Sequence, residues 1–176
     1  MFHTMWGRER MRPGEQRMTE AMGILQRRSI EAEFAKGVFE EFAREIGEDR
    51  ARKILARAVE KMAVAAAQGF ARQADAEKSP IENLAAIMPL WTKDDALSIE
   101  VLRQDAENFD FNVTRCRYAE TYKAMGIGHL GAALSCNRDG KFCEGFDPRL
   151  KLTRTQTIMG GASHCDFRYR VEPPAA

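Results

Sequence analysis

The stretch LSIEVLRQDAENFDFNVT, residues 97–114, decides the fold. Leu97, Ile99 and Val101 alternate with Ser98 and Glu100, and Phe109, Phe111 and Val113 alternate with Asp110, Asn112 and Thr114. A period of two is that of a strand with one apolar face, and the polar DAEN joins the two runs. The stretch predicts an antiparallel hairpin.

Upstream of it the apolar period is about four. Phe34, Val38, Phe42 and Ile46 follow Ile30 at every fourth position, with Glu31, Glu41, Arg44 and Glu45 off the stripe and Gly47 as a stop. That pattern predicts a packing helix. A second helix is expected from about Asp49 to Gln73 on Ile54, Leu55, Ala58, Met62, Ala65 and Phe70, its alanines suited to close helix contacts. Ser79, Pro80, Ile81 and Glu82 spell a third, short helix: serine caps, proline pre-sets the first turn and glutamate completes a capping box. Pro89 closes it, and the polar DAEKS before Pro80 is a loop.

Downstream, Cys116 to Met125 returns to helical spacing with Tyr118, Tyr122 and Met125 on one side and Gly126 as a stop. A short helix rich in glycine and alanine runs to Leu134, followed by SCNRDG, read as a turn-rich loop. A second hairpin, roughly Leu150 to Ile158 and His164 to Val171 about a Gly-Gly turn, completes four strands. The expected fold class is α+β, with N-terminal helices packed on a four-stranded antiparallel sheet formed by two C-terminal hairpins. Residues 1–176 are expected to form one domain, helical over 1–90 and sheet-containing over 91–176.

Charged residues are 30% of the chain and nearly cancel, with 27 Lys+Arg against 26 Asp+Glu. No uniform field is expected to draw in nucleic acid or an acidic membrane, so small neutral or zwitterionic ligands are the expected partners. The basic N-terminus lacks an apolar run of about 7 to 15 residues, and no apolar stretch of about 18 residues occurs. A cytoplasmic protein is expected, with its four cysteines reduced; their spacing lacks the paired CxxC of a zinc ribbon.

All four cysteines and two of the three histidines fall between Phe109 and Arg170, so any chemistry is concentrated there. Alternation tells which polar side chains point inward. Leu150, Leu152 and Ile158 share a face with Arg154 and Gln156, and Cys165 lines up with Phe167, Tyr169 and Val171 while His164, Asp166, Arg168 and Arg170 lie opposite. A guanidinium directed at the core needs an anionic partner, either a protein carboxylate or that of a bound substrate. Cys165 is a small hydrophobe on its own, but Cys116 opens a helix whose N-terminus would lower its thiol, and Cys136 sits beside Asp139. Cys143 is expected to be packing. His164 beside Asp166 reads either as an acid–base pair or as a surface hydrogen bond; His129 reads as a helix-start residue.

The runs FNVTRCRYAETYKAMG and LSCNRDGKFCEGFDPRLKLTRTQTIMGGASHCDFRYR resemble the L-2-amino-thiazoline-4-carboxylic acid hydrolase family. The resemblance is close over Phe109 to Arg170 and general over the helical half. It implies ring-opening hydrolysis of a cyclic isothiourea carboxylate to a carbamoyl-cysteine. On that reading Cys165 or Cys136 attacks, His164 shuttles protons, Asp139 or Asp166 holds the substrate nitrogens protonated, and Arg154 holds the carboxylate. Gln156, Cys116, Tyr118 and Asn137 complete the expected substrate-binding set. Strict alternation puts His164 and Cys165 on opposite faces, so their cooperation requires a bulge. No cofactor is expected. The alternatives are a metal-assisted hydrolase with zinc on Cys116, Cys136, Cys165 and His164, and a non-catalytic small-molecule-binding or redox-sensing module. Homo-oligomerisation through the N-terminal helices is a further expectation.

Overall fold

The computed structural model describes residues 22–172. Helix α1 (Ile24–Ile46) turns at Gly47 into α2 (Glu48–Ala71). Gly47 has φ +84°, a conformation that costs a residue with a Cβ but not glycine. Helix α3 (Pro80–Ile87) starts as expected: Glu82 N–H donates to Ser79 Oγ at 3.2 Å, and Ser79 N–H donates to Glu82 at 2.7 Å. A further turn, α4 (Pro89–Thr92), leads into strand β1 (Leu97–Gln104), and β2 (Asn108–Cys116) pairs antiparallel with it. Asp105 holds the hairpin turn by accepting from the N–H groups of Glu107 and Asn108.

Helix α5 (Arg117–Ala124) follows β2 and stops before Gly126, whose φ is +75°. A 3₁₀ turn at Gly128–Leu130 and a π-helical turn at Ala132–Cys136 then run without a break into α6 (Asn137–Phe146). The SCNRDG segment is therefore helical, a correction to its reading as a loop. Its turn-forming residues are overridden by the tight fit of α6 on α2, the most extensive helix–helix contact among the described residues. A Cβ at Gly145 would run into the Val64 carbonyl oxygen and lie 3.0 Å from Ala67 Cβ, so only glycine lets the two helices approach this closely.

Strands β3 (Leu150–Thr153) and β4 (Cys165–Val171) complete the sheet in the order β1-β2-β4-β3, antiparallel throughout. The α+β fold with helices preceding a four-stranded antiparallel sheet is as expected. The second hairpin is shorter than expected. Asp166 accepts from the Thr155 N–H at 3.0 Å and the Gln156 N–H at 2.8 Å, taking donors that would have continued the β3 ladder. His164 consequently lies outside β4.

One face of the sheet is buried. Phe109, Phe111 and Val113 of β2, Cys165, Phe167 and Tyr169 of β4 and Leu150 of β3 enclose a core with Ala67, Ile81, Leu84, Cys143 and Phe146. Phe111 and Phe167 stack with ring centroids 4.9 Å apart, the cross-strand pairing expected of aromatics on a shared face. A second apolar cluster joins Ala32 and Phe39 of α1, Ala51 and Val59 of α2, and Tyr118 and Tyr122 of α5.

The α1 stripe does not pack as expected. Ile30, Phe34 and Phe42 are 53%, 77% and 45% exposed, whereas Ala32 and Phe39 are buried. A step of four residues overshoots one helical turn by about 40°, so a stripe at every fourth position winds off the core face. On α2 the buried line is Ala51, Val59, Ala63 and Ala67, with Met62 exposed. Among the described residues no helix is long and apolar enough to cross a membrane.

Candidate functional site

The four cysteines are free thiols. Cys116 ends β2, Cys165 begins β4 opposite Val113, and Cys136 precedes the first residue of α6. Cys116, Cys136 and Cys165 lie within electrostatic range of one another and of Asp139. The fold thus brings all four thiols within range of one carboxylate, Cys143 from the buried side. Cys143, fully buried one turn beyond Asp139, donates its S–H to the Asp139 backbone oxygen at 3.4 Å and serves packing.

Alternation along β3 continues past the ladder and directs Arg154 inward. Its partner is a protein carboxylate: Nη1 donates to Asp139, Nη2 donates to the Cys136 backbone oxygen at 2.9 Å, and the guanidinium lies 5.0 Å over the Phe167 ring. The two side chains keep 15% and 29% of their exposure. Burial pushes the Asp139 carboxyl up against the pull of Arg154.

Outside this pair a groove of about 420 Å³ opens between α2, α6 and β3. Cys136, Asn137 and Arg154 line it, with Glu60, Lys141 and Glu144 toward α2. Cys165 is deeper, 6% exposed, and its sulfur accepts from the Ile158 N–H at 3.2 Å.

Burial pushes the Cys136 thiol up to about 12 and raises Cys116 and Cys165 as well. At Cys116 the N–H groups of Ala119 and Tyr118 pull the other way, as a helix N-terminus should, but desolvation wins. The expectation of a lowered thiol there is corrected.

The expected His164–Asp166 pair is not formed. Gln156 Nε2 lies 3.1 Å from His164 Nδ1 and 3.0 Å from Nε2, Ser163 Oγ lies 3.0 Å from Nδ1, and Asp166 is taken up by Thr155 and Gln156. Burial works to raise the Asp166 carboxyl, yet these hydrogen bonds hold it below its ordinary value. Gln156 therefore turns to His164 and does not line the groove with Arg154. Among the described residues no three His, Cys, Asp or Glu side chains are grouped to hold a metal ion, so Cys116, Cys136, Cys165 and His164 are not assembled as a zinc site.

Tyr118 is 6% exposed on α5, and its hydroxyl is the one buried side-chain oxygen or nitrogen without a hydrogen-bond partner among the described residues. Sequence reasoning missed Arg28, Glu31 and Arg138, which pair with one another beside Tyr122; of the three, Arg28 lies in electrostatic range of Tyr118 as well. Arg138 stood inside the SCNRD motif and was the only signal.

Fold and site together define an α+β protein with a thiol-bearing groove backed by a half-buried Arg–Asp pair. A family model described as L-2-amino-thiazoline-4-carboxylic acid hydrolase matches residues 27–169, and the chain belongs to that family. No curated protein matches the chain. Among solved structures, the phenol-responsive sensory domain of the transcription activator PoxR, crystallised with phenol, is similar at a TM-score of 0.53 and 15% identity. The match covers 84% of this chain and 76% of that one. A trafficking protein particle complex subunit 3 from Naegleria fowleri, covalently bound to palmitic acid, matches at a TM-score of 0.49 and 9% identity, over 84% of this chain and 96% of that one.

Proposed function

We propose that the protein is a ring-opening hydrolase of small cyclic amidine or isothiourea carboxylates such as L-2-amino-thiazoline-4-carboxylate. The observation that carries this reading is the joint lining of one groove by Cys136, Asn137 and Arg154, with Asp139 fixed behind them. The carbon to be attacked lies between two nitrogens and a sulfur and is a poor electrophile unless its nitrogens are protonated. Asp139 supplies the negative charge that holds that amidinium. The cation in turn favours the thiolate of Cys136, offsetting the burial that keeps it protonated in the free protein.

In this mechanism Cys136 Sγ adds to the ring carbon, and its proton passes through Asp139 to the ring sulfur as the carbon–sulfur bond breaks. The substrate's cysteine thiol is freed, and the former ring carbon stays on the enzyme as an isothiourea. Water then adds to that carbon and expels Cys136 as a thiol, leaving an N-carbamoyl amino acid. One water is consumed and nothing is oxidised or reduced. Arg154 keeps Asp139 in place.

Incubating the protein with L-2-amino-thiazoline-4-carboxylate should give one product per substrate, heavier by one water and carrying both a new thiol and the carbamoyl group, followed by mass. Cys136→Ser should lose at least about 10²-fold in kcat, while Cys165→Ser keeps turnover. Full activity in Cys136→Ser would remove the nucleophile assignment, and no product from the wild type would remove this substrate.

A second reading, binding without turnover, is favoured by the raised thiols, which is the state of packed rather than activated cysteines. The PoxR domain of similar fold was crystallised with phenol, a small ring. Binding of the thiazoline without product would decide for it. The reading extends to assembly: the exposed Ile30, Phe34 and Phe42 stripe of α1 is covered by a second copy of the chain, helix against helix about a two-fold axis.

A further inference from the structure

The groove leaves a second polar cluster unexplained, where α1 meets α5 and the start of α6. Helix α1 brings Arg28 and Glu31, one turn apart. Helix α5 brings Tyr118 and Tyr122, and the π-helical turn and α6 bring Ser135 and Arg138. Arg28 pairs with Glu31, and Arg138 Nη2 lies 3.4 Å from the same carboxylate while its Nε donates to the Leu134 oxygen at 2.8 Å. The arginine side chains keep only 17% and 13% of their exposure.

Two half-buried guanidiniums thus share the Glu31 carboxylate, and with the Arg154–Asp139 pair in range three guanidiniums meet two carboxylates, which leaves one positive charge in excess among the described residues. Burial and the neighbouring Arg28 pull Arg138 down to about 10, the mark of a cation short of counter-charge. Beside them, Tyr122 Oη and Ser135 Oγ satisfy each other at 3.0 Å, but the Tyr118 hydroxyl has no partner among the described residues. Its electrostatic neighbours are Arg28, Cys116, Tyr122 and Asp139. A buried hydroxyl without a partner and a buried charge in excess are each unfavourable, and a bound anionic oxygen relieves both. Carboxylates suit such a place because guanidinium recognises them in a planar, two-pronged way and a phenol can donate to them.

We infer that Arg28, Arg138 and Tyr118 form the pocket for the substrate's carboxylate, with Glu31 holding the two guanidiniums together. The inference rests on the ring-opening reading and deepens it. Asp139 lies in electrostatic range of Arg28, Arg138 and Arg154 alike, so it is the common neighbour of this pocket and the groove. A ring whose carboxylate sits between Arg28 and Arg138 presents its amidine to Asp139 and Cys136. Arg154, its charge already answered by Asp139, is a positioning residue.

The test compares L-2-amino-thiazoline-4-carboxylate with 2-amino-2-thiazoline, the same ring without the carboxylate, on the full chain. Arg138→Met should raise KM for the carboxylate about 10- to 100-fold with kcat changed less than about threefold. Its calorimetric affinity for the carboxylate-free ring should move by less than about twofold. Tyr118→Phe, which keeps the ring and so the packing, should raise KM about three- to tenfold, and Arg138→Lys should recover part of the loss. Unchanged KM in both Arg138→Met and Tyr118→Phe, or equal losses for both compounds, would overturn the pocket while leaving the reaction standing. Should the wild type give no product, calorimetry with the same two compounds still decides. A preference for the carboxylate that Arg138→Met abolishes upholds the pocket without the reaction, and no preference overturns it.

Discussion

Tyr118 illustrates how one atom can record a conflict between stability and use. Its ring is packed in the cluster that α1 shares with α5, yet its buried hydroxyl has no hydrogen-bond partner among the described residues. Removing the oxygen should therefore help the ligand-free protein. Tyr118→Phe is expected to raise the unfolding free energy by about 1–3 kcal/mol, read as a higher urea midpoint at unchanged slope. A lower midpoint would mean that the hydroxyl has a partner after all. At this scale the sequence was informative wherever a side chain's direction follows from strand period. Alternation directs Cys165 inward because the strand backbone fixes it, and Arg154 inward because the period of two carries on one residue past β3. It did not identify Asp139 as the partner of Arg154, because the two are fifteen residues apart and the segment carrying Asp139 was read as a loop. Arg28, Glu31 and Arg138 were illegible for a related reason: their meeting is a product of how α1 lies on α6, which no local pattern encodes.

Individual elements show where period counting works and where it fails. The β1–β2 hairpin and the capping box of α3 were legible because each depends on residues within a few positions of one another. The end of β3 was not, since Asp166 reaches across the chain to take the amide donors of Thr155 and Gln156. Nor was the buried face of α1, where an every-fourth-residue stripe leads away from the core. That exposed stripe carries the assembly proposal. Phe34→Glu, at a position 77% exposed, should leave stability within about 0.5 kcal/mol and convert a dimer to a monomer in sedimentation. A wild-type protein that sediments as a monomer at high concentration would sink the idea. The β1 ladder is interrupted by irregularities at Ser98/Ile99 and Val101/Arg103, which blunt the edge against further pairing, and Val101, on the apolar face of the expected strand, is exposed together with Leu102.

Across the whole molecule, the buried thiols make a statement about pH. In the native state Cys136 and Cys143 hold their protons up to about 12, whereas in an unfolded chain thiols release them near 8.5. Between those values the native state binds more protons than the unfolded one, so the unfolding free energy must fall as pH rises. Each such thiol steepens the fall by up to about 1.4 kcal/mol per pH unit. Urea midpoints measured from pH 8 to 10.5 should drop, and replacing Cys143 by Ala should flatten the slope. A flat profile in the wild type would show that these sulfurs are open to solvent.

The contact at Gly145 acts as a spacer gauge for the whole site. Cys136, Asn137 and Asp139 ride at one end of α6, and the opposite wall of the groove is α2. The width of the groove is thus metered near the far end of the same helix, by a missing methyl group. A side chain added at Gly145 would push α6 off α2 and so reset the width of the groove without touching a single residue that lines it.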